Sequence, residues 1–334
     1  MDIGKLGSKL WGPPNADEAA EFIAYSQAFD RERCLAQFDQ VVGSAKAYID
    51  TTKTITPVRD TIIERVRSRT PASFVRMGDG EGNVLFHKWG RYEALSTYCL
   101  RKISKICFGS EDTIKDNFEL FSDILLQAID QADFVGGPER GSIAASFEKP
   151  LDALDVRGVC GMRGMYNLMA SEPPKPALRS TLWGATFYSR SMMPHYGSFL
   201  NGLPFVGTVT CYEQLAPAIA AHFGIAQHAS ILNPMQASIA RQMGRANGHL
   251  EQYGAILDQI RPPFEGAVYI VAAGHLGKSY CSTIKQRGGI AIDVGSVADA
   301  WMGIRSRPGI SDEFVDRWKL VDNPAEPTAE AANR

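Results

Sequence analysis

Two short stretches of the chain gather residue types that can handle a phosphorylated ligand. The first is Arg76-Met77-Gly78-Asp79-Gly80-Glu81. Its two carboxylates stand two residues apart, and on an extended backbone they point the same way. Hard oxygen donors of this kind suit Mg2+ or Mn2+. Gly78 and Gly80 let a ligand approach the main chain. A cation held by Asp79 and Glu81 would bridge the phosphates of a nucleotide-sugar and stabilise the leaving diphosphate. Arg76 would contact a phosphate or pair with a carboxylate. The plain alternative is a surface turn with solvated acids.

The second stretch is Ala272-Ala273-Gly274-His275-Leu276-Gly277-Lys278-Ser279. It is not a P-loop by pattern, because that motif places a glycine five residues before Gly277, where Ala272 stands. A weaker reading survives. The turn through Gly274 and Gly277 opens a helix, whose first N–H groups and dipole favour an anion. Lys278 would add a fixed charge and His275 a hydrogen bond to phosphate. An ordinary strand-to-helix turn is the competing reading. A third candidate is Asp293, in Ile292-Asp293-Val294-Gly295-Ser296. At a strand end it would bind a sugar or ribose hydroxyl, act as a base, or merely cap a turn. Ser296 falls on the same edge, and Asp299 lies a little further on. Of the aromatic residues Trp183, Phe187, Tyr188, Tyr196 and Phe199, core packing is favoured over a sugar platform.

The elements that must position these residues follow from periodicity. Residues 16–50 place Phe22, Ile23, Phe29, Leu35, Phe38, Val41 and Val42 at helical spacing, so one or two helices there pack on the core or on a second subunit. Residues 56–70 predict a helix, with Pro57 suited to its first turn. Ser73–Met77 reads as a buried strand entering a glycine loop. A helix is expected over 111–131, a strand end at 133–137 and a short strand at 156–161. From 205 onward strands and helices alternate, with a long helix over 236–260 and Pro217 kinking or shortening an earlier one. That alternation implies a doubly wound, mostly parallel α/β sheet of Rossmann-like type with an N-terminal helical extension. The expected organisation is an arm and helices over 1–55, a main domain over 56–318 and a flexible tail over 319–334.

Composition narrows the function classes. The 334 residues carry a formal net charge of -2, which gives no electrostatic reason to expect nucleic acid. No run approaches the ~20 apolar residues that span a bilayer, and the first residues lack the apolar core of a signal peptide, so a cytoplasmic protein is expected. The six cysteines are scattered without a CxxC pair, which indicates buried thiols rather than disulfides or zinc.

The stretch Ser73–Glu81 resembles the strand-loop motif of the GT-D-fold glycosyltransferases, in which an arginine precedes Gly-Asp-Gly-Glu. Tyr269–Gly274, Lys278 and Gly289–Gly295 are similar to the second motif of that family. Between them, Ile231-Leu232-Asn233-Pro234 is similar in order and spacing. The resemblance covers roughly residues 60–305. The chain departs from it at Met77 and Gly82, and at Ser296, where the family often carries histidine. The resemblance implies a Rossmann-like fold and a D-x-E motif, Asp79 and Glu81, for metal and diphosphate. It puts Arg76 beside that motif, Lys278 on the phosphate side and Asp293 at the last strand. The expected activity is metal-dependent transfer of a sugar from a nucleotide-diphosphate donor, UDP being the commonest, to a hydroxyl of a glycan, glycopeptide or lipid-linked acceptor. Two other classes compete: a P-loop-like phosphotransferase using Lys278, and a non-catalytic nucleotide-binding module that oligomerises through its N-terminal helices.

Overall fold

Within Ala72–Arg76, Phe74 joins one hydrophobic cluster and Val75 another, and both side chains are fully buried. A strand covered on both faces reads as a continuous apolar run, the mark of a parallel sheet. The computed structural model describes residues 14–148, 155–171, 181–237, 240, 250–307 and 310–321. Its eight strands are β1 (Ala47–Tyr48), β2 (Ala72–Arg76), β3 (Phe134–Gly137), β4 (Leu182–Ala185), β5 (Phe205–Thr210), β6 (Gln227–Leu232), β7 (Val268–Ala272) and β8 (Ile290–Asp293). They form one sheet in the order β1-β4-β3-β2-β8-β7-β5-β6. Every pairing is parallel. Strands 1–4 build one half and strands 5–8 the other. The halves meet where Phe74 of β2 faces Ile292 of β8.

The longer helices are α1 (Ala16–Ala28), α2 (Arg31–Gly43), α3 (Thr56–Ser68), α4 (Asp79–Lys88), α5 (Glu93–Phe108), α6 (Phe118–Gln131), α7 (Val156–Ser171), α8 (Leu215–Phe223) and α9 (Gly277–Gln286), followed by the short α10 (Val297–Trp301). One face of the sheet carries α1, α2, α4, α5, α6, α7 and α9. The other carries α3, α8 and α10. Helices on both faces make the sheet doubly wound, as the alternation implies.

Local differences from the sequence reading have physical causes. Residues 156–161 are not a strand but the start of α7. The glycines that look like strand punctuation there serve a helix crossing instead. A Cβ on Gly161 would lie 2.0 Å from the carbonyl oxygen of Asp79, and one on Gly82 would lie 1.8 Å from that of Gly161. Only glycine lets α4 and α7 approach so closely. The helix holding Pro217 is shorter than its run, because α8 begins only at Leu215, which puts the proline in the first turn, where no N–H is needed from it. Most of the long helix expected over 236–260 lies outside the described residues, as does the tail beyond 321. A helix at Tyr253–Gln259 ends the described part of that stretch. α1 and α2 bury Phe22, Leu35, Phe38 and Val41 in the core of their own chain. Among the described residues no helix is long and apolar enough to cross a membrane.

Candidate functional site

Adjacent strands β2 and β8 send their following helices, α4 and α10, to opposite faces of the sheet. Loops that part in this way leave a crevice at the carboxyl ends of the strands, where α/β proteins bind ligands. A cavity of about 690 Å³ opens there. The β2–α4 turn contributes Arg76, Gly78, Asp79, Gly80 and Glu81 to its wall. The β7–α9 turn contributes Gly274, His275 and Lys278, and the turn after β8 contributes Asp293 and Ser296. Sequence positions up to 220 residues apart (76 to 296) thus converge on one crevice. Gly277 does not reach the cavity wall. A Cβ there would touch Ala273 and Val271, so it serves packing under the turn.

Asp293 is the hub of the wall. Its Oδ2 accepts from Lys278 Nζ at 2.6 Å and from the Arg76 N–H at 3.3 Å. Its Oδ1 accepts from Arg76 Nε at 3.4 Å and from the Gly295 N–H at 3.1 Å. Gly295 sits at φ +48°, and a Cβ there would collide with the Arg76 guanidinium. Lys278 also faces Glu81 Oε1 at 3.3 Å. Burial opposes the charge on Lys278, but Asp293 and then Glu81 outweigh it and raise the ammonium above its ordinary value. Burial likewise opposes ionised Glu81, yet Lys278 and His275 dominate and hold it down at about 2. Tyr188 adds its hydroxyl beneath this network, 3.0 Å from the Phe74 carbonyl and 3.1 Å from that of Asp293.

The extended backbone behind the paired-carboxylate reading is absent. Asp79 and Glu81 occupy the first turn of α4, where residues two apart diverge around the helix. Glu81 Oε2 accepts from the Gly78 N–H at 2.9 Å, the carboxylate half of a capping box. Asp79 Oδ2 accepts from Arg157 Nη1 at 2.5 Å. Arg157 also meets Asp155 at 3.1 Å. Sequence reasoning missed Arg157, which lies on the segment read as a strand. Burial works against its charge, but Asp79 and Asp155 raise its guanidinium well above the ordinary value.

These contacts decide how a divalent cation fits. Both oxygens of Glu81 are engaged, so the two acids do not form a joint grip. Asp79 keeps one oxygen without a protein partner among the described residues, and its side chain is 43% exposed. A hard cation that takes one carboxylate and completes its shell with phosphate oxygens and water fits that donor. Among the described residues there is no group of three or more acidic, histidine or cysteine side chains arranged to hold a metal.

Two further side chains line the cavity. His275 is buried, with Nδ1 3.6 Å from Cys107 Sγ. Burial disfavours its protonation, but Cys107 and Glu81 outweigh burial and lift it to about 9. Asp299 accepts from the Tyr212 hydroxyl at 2.7 Å and from the Ser306 hydroxyl. Burial pushes its carboxyl above the ordinary range, against those two hydrogen bonds.

No protein-family model matches the chain, and no curated protein matches it. Two solved structures are similar to it. One is the domain of unknown function 1792, described as highly conserved and as having a distinct glycosyltransferase fold. It is 13% identical, with a TM-score of 0.44 over 78% of this chain and 82% of that one. The other is a selenomethionine-substituted structure of the domain of unknown function 1792, 14% identical, with a TM-score of 0.47 over 87% of this chain and 96% of that one.

Proposed function

We propose that the chain is a glycosyltransferase that takes a nucleotide-diphosphate sugar, UDP-linked in the first instance, and transfers the sugar to an acceptor hydroxyl on a glycan, glycopeptide or lipid-linked molecule. The observation that carries this reading is the meeting of the Arg76–Glu81 turn, the Gly274–Lys278 turn and the Asp293–Ser296 turn around one crevice at the switch point. The crevice has the size and the mixed polar and apolar wall that a nucleotide needs. The turn into α9 directs the positive end of a helix towards a diphosphate in the crevice.

In the proposed reaction the acceptor oxygen attacks the anomeric carbon, and the bond from that carbon to the diphosphate oxygen breaks. The diphosphate leaves with the bonding pair, and the acceptor proton passes to a carboxylate. Asp299 is our choice for that base: it lines the cavity, and burial raises its proton affinity above that of an ordinary aspartate. Asp293, whose carboxylate accepts four hydrogen bonds from Arg76, Lys278 and Gly295, holds the two cations in place. A divalent cation, when bound, would sit on the open oxygen of Asp79 and withdraw charge from the leaving diphosphate. Arg157 neutralises the other oxygen and fixes the carboxylate. The buried, doubly paired state of Lys278 gives no support to a P-loop-like phosphotransferase.

The test uses the full chain with UDP, GDP and their sugar conjugates, with and without Mn2+. UDP should raise the melting temperature more when Mn2+ is present. Asp79→Asn should lower transfer or donor hydrolysis by roughly 100-fold, the scale of losing one charge-stabilising group. Turnover unchanged in Asp79→Asn, or no nucleotide binding at all, would overturn the reading.

A further inference from the structure

We propose that the same cavity contains an acceptor subsite for an anionic group, a phosphate or a carboxylate, held by Arg307 and Arg190 beside the ring of Phe187. This rests on the transferase reading and names the class of acceptor it uses.

The cations of the cavity wall divide into two sets. Arg76 and Lys278 are neutralised by Asp293 and Glu81, and Arg157 by Asp79 and Asp155. Arg307 is the other set. It is exposed, and among the described residues it forms no ion pair; its Nη2 donates to the side-chain amide oxygen of Gln236 at 3.0 Å. The nearby acid, Asp299, is hydrogen-bonded to the hydroxyls of Tyr212 and Ser306, and the Arg307 charge acts on it without a direct ion pair. Arg190 lies with its guanidinium carbon 4.5 Å from the centre of the Phe187 ring. Arg76, Arg190 and Arg307 all line this one cavity; burial lowers the proton affinity of Arg190, and the like charges of Arg76 and Arg307 lower it further. An anion beside Arg190 and Arg307 is attracted by both, and planar guanidinium forks match phosphate and carboxylate oxygens.

Phe187 supplies the second line of argument. It lines the cavity yet is 49% exposed, while its neighbours Tyr188 and Trp183 are fully buried. An aromatic face left in water beside a guanidinium pair suits a ligand with a ring or apolar body attached to its anion. Asp299, our base, and Arg307 come from one stretch of the chain, and both line this cavity.

The test separates this inference from the one beneath it. Full-length protein is saturated with UDP, and inorganic phosphate is titrated by calorimetry. UDP binding itself checks the transferase reading. Phosphate should then bind to the UDP complex, and Arg307→Gln should weaken it at least tenfold while UDP affinity stays within twofold. Arg307→Lys should restore part of it. Glucose 6-phosphate, geranyl phosphate and acetate distinguish a soluble sugar phosphate, a lipid-linked phosphate and a carboxylate as the source of the anion. Phosphate that fails to bind once UDP is present, or binds equally well to Arg307→Gln, overturns the subsite even where UDP binds as expected.

Discussion

The two ends of the sheet each carry a carboxylate hub above a cavity of about 690 Å³. At the carboxyl ends, Asp293 ties together Lys278 and Arg76. At the amino ends, Asp133 ties together Lys285 at 2.8 Å, Arg65 at 3.5 Å and the Ser73 N–H at 2.9 Å. The partners are the same in kind: one lysine, one arginine and main-chain N–H groups, two at Asp293 and one at Asp133. Burial separates them. The Lys278 and Asp293 side chains are 3% and 4% exposed, against 29% and 16% for Lys285 and Asp133. The upper hub lies where the two halves of the sheet diverge, so glycine turns close over it. The lower groove has strand entries on one side and helix ends on the other, and water reaches its charges. An acid with a lysine and an arginine beside it is therefore not evidence of a site. The dry setting at a topological switch point is what makes one of these hubs worth a functional reading.

The largest expected effect tests that contrast directly. Asp293→Ala strands two buried cations with Glu81 as their remaining acid, and removing one partner of a buried pair costs about 3–5 kcal/mol. Asp133→Ala removes a partly exposed carboxylate and should cost about 1–2 kcal/mol. Urea unfolding of both variants measures the difference. Equal losses would mean that burial does not set the two hubs apart.

A smaller effect follows from Glu81. Its carboxyl ionises at about 2 in the folded chain against 4.5 for the ordinary group. A depressed folded value means that the stabilisation is complete above 4.5 and fades as pH falls from there towards 2. The interval corresponds to about 3 kcal/mol. Thermal melts between pH 6 and pH 3 should show the loss in the wild type and a flatter profile in Glu81→Gln. A wild-type profile no steeper than that of the variant would show that Lys278 does not hold this carboxylate ionised.

Much of this architecture is legible in the sequence because it is written locally. β2, β7 and β8 are buried on both faces, so each reads as an apolar run, and each run stops at a turn containing glycine. The helical spacing of Phe22, Leu35, Phe38 and Val41 announces α1 and α2. The errors come from features that local spacing does not encode. Helix α4 begins right after β2, and a D-x-E pattern looks alike on a strand and in a helix's first turn. Arg157 meets Asp79 across 78 residues, through a helix crossing that depends on Gly82 and Gly161. Read along the chain, those glycines look like breakers. β4 has only four residues, and Phe187 after it looks like any core aromatic until its exposure is known. Arg190 and Arg307 belong to no motif, so only the fold brings them into one cavity.

The smallest expected effect lies at the lower groove. Lys285→Met keeps most of the side-chain length and removes the charge. Asp133 retains Arg65 and the Ser73 N–H, and water replaces what the ammonium supplied, so no charge is left uncompensated. The Gln131 carbonyl, which accepts from Lys285 at 2.6 Å, is likewise within reach of solvent at the groove wall. Pairs that water reaches in this way contribute about 1 kcal/mol or less. Added salt should change the wild type and Lys285→Met by nearly the same amount, because the interaction is already screened. Lys278→Met, run alongside, removes the charge that balances two buried acids and should cost several times more. If Lys285→Met proved as damaging, the lower hub would have to be as dry in solution as the upper one, and the amino-terminal groove would become an equal candidate for the site.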